Sequence, residues 1–222
     1  SPFLFRQLEQ HGVLIGKGYV IPSGVDTSLF KPGVKDGNLI MAAGRFIEKK
    51  APDLTIKAFA AISRSFPNAR LEMVGDGPEL EKCRMLSMEL GVSEKVIFHG
   101  NRSHRFVMEL MARATIFMQH SIIAANGDQE GAPTSIQEAM SSGACVISTQ
   151  HAGIPDLIED GITGLLVKEN DLDAYTYALN RAMLHPSFCK RAGNLAREHA
   201  VRVLDKSLSN KYIERVIRGE PI

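Results

Sequence analysis

The 222-residue chain has no tryptophan and only four tyrosines. Its three cysteines, Cys83, Cys145 and Cys189, lie far apart and form no CxxC pair. So sparse and odd a count argues against a disulfide-stapled scaffold and fits a reducing cytoplasm. No apolar run approaches the ~20 residues of a membrane-spanning helix, and no stretch reads as a secretory leader. An excess of one charge is missing too: 26 Lys+Arg stand against 25 Asp+Glu, a formal net charge of +1. Bulk attraction to nucleic acid or to an acidic substrate is therefore excluded, and any anion must be caught by a local site.

Several nucleotide and hydrolase motifs are also lacking. Gly75-Asp76-Gly77-Pro78-Glu79-Leu80 begins like a GxGxxG fingerprint and fails at the third glycine. Gly12 to Gly16-Lys17 is one residue short of a GxxxxGK[ST] phosphate loop, and GxSxG is absent. His99 and His104 have no cysteine or acidic partners at zinc spacing and read as loop or surface histidines. Asn101-Arg102-Ser103 matches a glycosylation sequon, which has meaning only in a secreted protein.

What is present is the mixture of a soluble globular domain, 44% hydrophobic and 23% charged. Short apolar runs alternate with amphipathic stretches. Strands are expected at 38–43, 70–74, 95–98, 115–119, 144–148 and 165–167. Between them fall helices. The first, capped by Asp53, has Leu54, Ala58, Ile62 and Phe66 on one stripe and stops at Pro67. The next opens near Pro78 and ends at Gly91. Others are expected at 105–112, 133–142 and 155–159, and the chain reads as helical from 171 onward with a break at His185-Pro186.

Strands separated by helices cannot pair as hairpins. They imply right-handed crossovers and an α/β, Rossmann-like, doubly wound parallel sheet of about six strands with helices on both faces. Ligands of such a domain lie beyond the carboxyl ends of the strands, which marks the loops after residues 43, 74, 98, 119 and 148.

Three clusters fall in those loops. Arg45 and Lys50 follow the first strand, a planar fork and a mobile point charge suited to a diphosphate. On spacing alone, with Lys49 beside them, they also describe an exposed basic loop. Gly75, Asp76, Gly77 and Pro78 follow the second strand. The two glycines would let backbone approach a flat ligand, or simply make a strand-to-helix turn. The third cluster is EGAPTSIQE, residues 130–138. Pro133 suits a first helical turn, leaving the amides of Thr134 and Ser135 free to bind an anion. Glu130 and Glu138 flank that terminus. A carboxylate beside phosphate is tolerated when it accepts from hydroxyl donors instead, as a vicinal diol offers. Hydroxyls on both sides of a phosphate bridge describe a sugar nucleotide: hexose, diphosphate, ribose. Standing alone, the pair reads equally as one capping and one surface acid.

Taken together these residues resemble the retaining glycosyltransferases of family 4, which have the GT-B fold. The resemblance runs through IPSGVDTSLFKP (21–32), AGRFIEKKAPDL (43–54), LEMVGDGPEL (71–80), VIFHG (96–100), EGAPTSIQEAMSSGACVIST (130–149) and AGIPDLIEDGITGLLV (152–167). It implies the C-terminal, donor-binding domain of a two-domain enzyme that moves a hexose from a UDP- or GDP-linked donor to an acceptor hydroxyl, without cofactor or metal. Carried over by that resemblance, Arg45 and Lys50 would hold the diphosphate, Glu130 the transferred sugar and Glu138 the ribose. Amides near Gly131, Ala132, Thr134 and Ser135 would assist at phosphate. Gly75, Asp76, Gly77 and Pro78 would lie near the base together with Gly100 and Asn101.

The family's glycine after the phosphate-binding lysine is Ala51 here, which puts that loop's conformation in question. The motifs look most like those of exopolysaccharide and lipopolysaccharide transferases. A glycan or glycolipid acceptor would be held by an N-terminal domain and would bring the protein to the inner face of the membrane; no nucleic-acid partner is expected. Residues 1–12 read as a remnant of that N-terminal domain and 13–222 as the donor domain, with 13–21 crossing the hinge and an apolar patch exposed beside the cleft. A sugar-nucleotide 2-epimerase, which shares the architecture, and a non-catalytic nucleotide-binding module are the alternatives.

Overall fold

The computed structural model describes residues 1–13 and 18–221. The near-miss phosphate loop at Gly16-Lys17, and part of the expected hinge stretch, lie outside the described residues.

Six strands form one sheet: β1 (Asp36–Ala43), β2 (Arg70–Val74), β3 (Val96–Phe98), β4 (Ala114–Met118), β5 (Cys145–Thr149) and β6 (Gly164–Val167). Their spatial order is β3-β2-β1-β4-β5-β6 and every pairing is parallel. The expected doubly wound sheet is therefore observed. The order reverses between β1 and β4, so the crossovers leave to opposite sides there and a crevice opens beyond the strand ends.

Side-chain alternation divides the core into two layers. Ile40, Ile116, Met118, Cys145 and Ile147 face one side, against α2 (Pro52–Ile62), α3 (Leu80–Glu89) and α6 (Leu172–Leu184). Leu39, Met41, Phe117 and Val146 face the other, against α4 (His104–Arg113) and α5 (Thr134–Ser141). A first helix, α1 (Pro2–Gln10), buries no side chain, and α7 (Pro186–His199) and α8 (Lys206–Ile217) complete the chain. Among the described residues no helix is long and apolar enough to cross a membrane.

Local chemistry explains where the elements differ from the sequence expectations. Asp53 does not cap α2. The cap position is Ala51, in a left-handed conformation, with Pro52 beginning the helix; Asp53 instead pairs with Lys57 at 2.8 Å. The helix ends at Ile62, one turn before Pro67, and Leu54 and Phe66 are only half-buried. Pro78 lies ahead of α3 rather than in its first turn. Residues 155–157 form a turn and 158–159 are irregular, not a helix; two amide bonds to the carbonyl of Ile154, from Leu157 and Ile158, are not continued. The helical C-terminal region has the break at His185 and a second at Asp205, after a π-helical turn at Ala200–Leu204.

That second break is a junction. Asp205 accepts from the amide of Ser207 at 2.8 Å and caps α8, and it also takes the hydroxyl of Thr27. The amide of Lys206 donates to the carbonyl of Val25 at 2.9 Å, closing the same seam. The hydroxyls of Ser207 and Thr27 hold the Asp205 carboxyl at about 2, against an ordinary 3.8. A depressed carboxyl contributes stability that is present above its ordinary value and lost as pH falls toward the depressed one. Asp205→Ala is expected to lower stability at pH 7 by about 0.5–2 kcal/mol, the range for a lost cap. Denaturant melts at several pH values should show that gap closing as the pH falls from 3.8 to about 2.

Candidate functional site

The loops after β1, β2, β3 and β4 meet the start of α5 around a crevice of about 750 Å3. After β1 the chain runs against the neighbouring loop. Gly44 N–H donates to the carbonyl of Val74 and Phe46 N–H to that of Asp76, both at 2.9 Å, and the buried Phe46 ring anchors the stretch. A 3-10 turn at Glu48–Lys50 then directs Lys50 back across Gly44, whose added Cβ would lie 3.6 Å from the lysine chain. Left-handed Ala51 makes this reversal possible, with φ of 35°. Ala51 thus adopts a backbone that glycine takes freely, at a strain of about 1–2 kcal/mol.

Gly75 and Gly77 are glycines for a reason other than ligand approach. A Cβ on Gly75 would sit 1.9 Å from the Gly44 carbonyl oxygen, and one on Gly77 2.4 Å from that of Phe46. Main chain packs on main chain, and this holds the Arg45 loop at the mouth of the crevice.

The acids come from the far side. Glu130 follows an irregular segment after β4 and is almost buried. Its Oε1 lies 3.1 Å from Lys50 Nζ and 3.9 Å from Lys49 Nζ, and Lys49 also reaches Asp128 at 2.9 Å. Burial pushes the Lys50 ammonium below its ordinary value, and the charge of Glu130 opposes that shift. Pro133 is the cap of α5 rather than its first residue, and no side chain caps the helix. The amides of Thr134 and Ser135 thus belong to the first turn, which has no intrahelical acceptors. The hydroxyl of Ser135 is already committed, donating to Gln119 Oε1 at 2.7 Å. Glu138, one turn on, is largely buried; that burial raises its carboxyl above 4.5, and His104 at 3.7 Å pulls in the opposite direction.

Arg45, Lys50, Glu130, Glu138, Gly131, Ala132, Thr134, Ser135, Gly75, Asp76 and Asn101 all line this crevice. Gly77, Pro78 and Gly100 do not. Gly77 is packed on Phe46, and the Gly100 carbonyl takes the Gly75 N–H at 2.9 Å. The sequence reading passed over Lys49, taken as part of a basic loop, and Arg102 and Val107, which complete the wall. The two histidines read as loop or surface residues fare differently. His99 lies in the loop after β3 but is mostly buried, its Nε2 meeting Glu72 Oε2 at 2.7 Å. His104 is exposed but stands over Glu138. The cue was available for His104, since it opens a helix directly after the third strand.

The arrangement can neutralise a doubly charged bridge and offer a carboxylate on either side of it. The family model described as "Glycosyl transferases group 1" matches residues 25–199. A GDP-mannose-dependent alpha-(1-6)-phosphatidylinositol monomannoside mannosyltransferase of Mycolicibacterium smegmatis is 29% identical over 194 residues, covering 82% of this chain and 51% of that protein. The putative colanic acid biosynthesis glycosyltransferase WcaL of Escherichia coli is 31% identical over 177 residues, covering 78% of this chain and 44% of that one. The chain thus spans about half the length of these relatives. The fold matches Anabaena Alr3699/HepE, crystallised with UDP, at TM-score 0.85 and 21% identity over 96% of this chain and 61% of that one. It also matches the C-terminal domain of the group 1 glycosyl transferase LpcC from Francisella tularensis, at TM-score 0.73 and 19% identity, over 82% of this chain and 99% of that structure.

The contact between Gly75 and Gly44 gives a direct test of how the crevice is built. Gly75→Ala must push the Arg45 loop away from β2 and adopt φ near 137°. Thermal or denaturant unfolding should register a loss of about 1–3 kcal/mol, the size of a local backbone strain. An unchanged midpoint would mean that the loop yields freely.

Proposed function

Because the chain belongs to the group 1 glycosyl transferases, we propose that the crevice takes a nucleoside diphosphate sugar and serves as the donor site of a retaining hexosyltransferase. The observation that carries this reading is the meeting of Arg45, Lys50, the open α5 terminus, Glu130 and Glu138 in one crevice. Arg45, Lys50 and the first-turn amides face the diphosphate. Glu138 takes the ribose hydroxyls and Glu130 those of the sugar, while Gly75, Asp76 and Asn101 border the base. As the glycosidic bond breaks, negative charge grows on the departing diphosphate, and fixed cations and amides stabilise it most where water is excluded. The reading meets that charge with side chains and amides and requires no metal ion.

The relatives support an acceptor in the polysaccharide or glycolipid class, since one is named for a phosphatidylinositol mannoside and another for colanic acid. Such an acceptor, with the sparse unpaired cysteines, favours a cytoplasmic protein working at the inner membrane face. A GDP-linked donor is suggested by the first relative and a UDP-linked one by the Anabaena complex. Transfer is favoured over 2-epimerisation because both relatives are transferases.

Titration calorimetry of the full-length protein with UDP-, GDP- and ADP-sugars tests the reading; binding of none at millimolar concentration would end it. NMR of the product's anomeric signal tests retention. Conversion of UDP-N-acetylglucosamine without acceptor would restore the epimerase.

Lys50→Ala is expected to weaken binding of a nucleoside diphosphate by about 1.5–3 kcal/mol, or roughly 10- to 150-fold, as for loss of a charged hydrogen bond. Calorimetry showing unchanged affinity would remove Lys50 from the diphosphate site.

Glu138 gives a pH signature. Its carboxyl is raised in the empty crevice by burial, and ribose hydroxyls favour the ionised form, so binding lowers it again. Affinity for a nucleotide sugar should therefore be full above the raised value and fall as the pH drops through it. Glu138→Gln should bind more weakly at neutral pH and lose this dependence. A wild-type affinity flat from pH 7 to about 4.5 would contradict the assignment.

A further inference from the structure

We infer that His151 is a positioning residue for Glu130, acting through the main chain with a ring whose proton is fixed by Glu169. The inference rests on the donor-site reading and assigns a part to residues outside the crevice.

Glu130 lies in an irregular segment, so no helix or strand sets its direction. Its backbone is held instead by the turn after β5. The Glu130 N–H donates to His151 Nε2 at 3.0 Å. Two residues on, a Cβ on Gly153 would fall 1.6 Å from the Gly131 carbonyl oxygen, so this turn lies directly on the main chain that carries the acid. Between them Ala152 adopts φ of 47°, a left-handed conformation that a side chain resists. The turn is shaped to press on residues 130 and 131.

The imidazole is wholly buried. Since Nε2 accepts an amide proton, it carries none itself, and the ring proton sits on Nδ1. That proton is donated to Glu169 Oε1 at 2.7 Å. The second carboxylate oxygen of Glu169 accepts from the Ile123 N–H at 3.0 Å. One carboxylate thus orients the histidine and ties down the start of the segment that ends in Glu130. Protonation of Nε2 would set donor against donor and break the chain of bonds.

His151 is not among the residues that line the crevice. It meets Glu130 through the main chain, whereas Arg45, Glu138 and the main chain of Lys50 are positioned by other elements and Lys50 meets Glu130 only at its side-chain tip. Its loss should therefore disturb the sugar end and spare the nucleotide end. A shift of the carboxylate by about 1 Å is enough to cost roughly 100-fold in rate.

The test compares wild type, His151→Leu and His151→Gln in the full-length protein, by nucleoside diphosphate affinity, donor turnover and hydrogen exchange at the Glu130 amide. His151→Leu should lower kcat about 10- to 100-fold while nucleoside diphosphate affinity stays within about twofold, and the Glu130 amide should lose protection. His151→Gln offers an amide oxygen to the same N–H and should recover much of the rate and the protection. Should His151→Leu fail to fold, Glu169→Ala, which leaves the ring unoriented, carries the same test. A purely structural histidine would lower both constants together, with Gln no better than Leu, and that result overturns the inference, as does wild-type kcat in His151→Leu. A wild type that binds no nucleotide sugar overturns the donor-site reading and this inference with it.

Discussion

The crevice depends on one buried ion pair, Lys50 with Glu130. Their side chains are 15% and 9% exposed, and their charged atoms lie 3.1 Å apart. Removing either charge from water costs several kcal/mol, and each is tolerated because the other is there. Without a ligand the pair neutralises itself. On the donor-site reading, a diphosphate arriving at Lys50 competes with Glu130 for the same ammonium, and Glu130 then needs other donors. Lys49 at 3.9 Å is one, and the hydroxyls of a sugar are others. That reading accounts for an acid placed beside the proposed phosphate site. The acid would exchange a lysine for hydroxyls, so that neither charge is left alone when a donor binds.

Such a pair can be held only if the loops carrying it are rigid, and rigidity here comes from main chain on main chain. The β1 loop lies on the β2 loop through Gly44 and Gly75, and the Glu130 segment lies on the turn after β5 through Gly131 and Gly153. In both places a single methyl group would separate the surfaces. The sheet contributes the rest: the strand order reverses between β1 and β4, so the cation-bearing loop and the acid-bearing segment leave adjacent strand ends from opposite faces. Neither contact is made at the expense of the core, which is closed beneath them by Phe46 and Phe117.

The sheet was legible because alternating apolar runs and helical stretches admit few topologies, and the crevice because its residues follow strand ends in a known order. What escaped the sequence was set by contacts between distant segments. Asp205 interrupts the C-terminal helices because Thr27, 178 positions earlier, takes its carboxylate. Residues 155–159 have helical composition, yet the hydroxyl of Thr163 captures the Glu159 amide at 2.9 Å and the turn goes no further. Lys49 looked like surface charge because Asp128 is 79 positions away. Gly75 and Gly77 were visible as unusual, but a glycine that admits a ligand and one that admits another loop are the same letter. Ala51 was visible as a departure, and the left-handed backbone there indicates that the position, not the residue, imposes the conformation.

The two carboxylates are held to different degrees, and this bears on what each can recognise. Glu138 sits on a helix, with a side-chain partner among the described residues in the mostly exposed His104. Its charge is stabilised poorly enough that burial raises its carboxyl. Hydroxyl donors that reach it recover a large part of that penalty, whichever nucleoside bears them. Glu130 is fixed at the main chain by His151, at the side chain by Lys50, and beneath by the turn through Gly153. An acid so constrained accepts hydroxyls only from the directions its frame permits. On the donor-site reading, discrimination among sugars is therefore built into the rigid end of the crevice, while the ribose end supplies affinity common to many nucleotides.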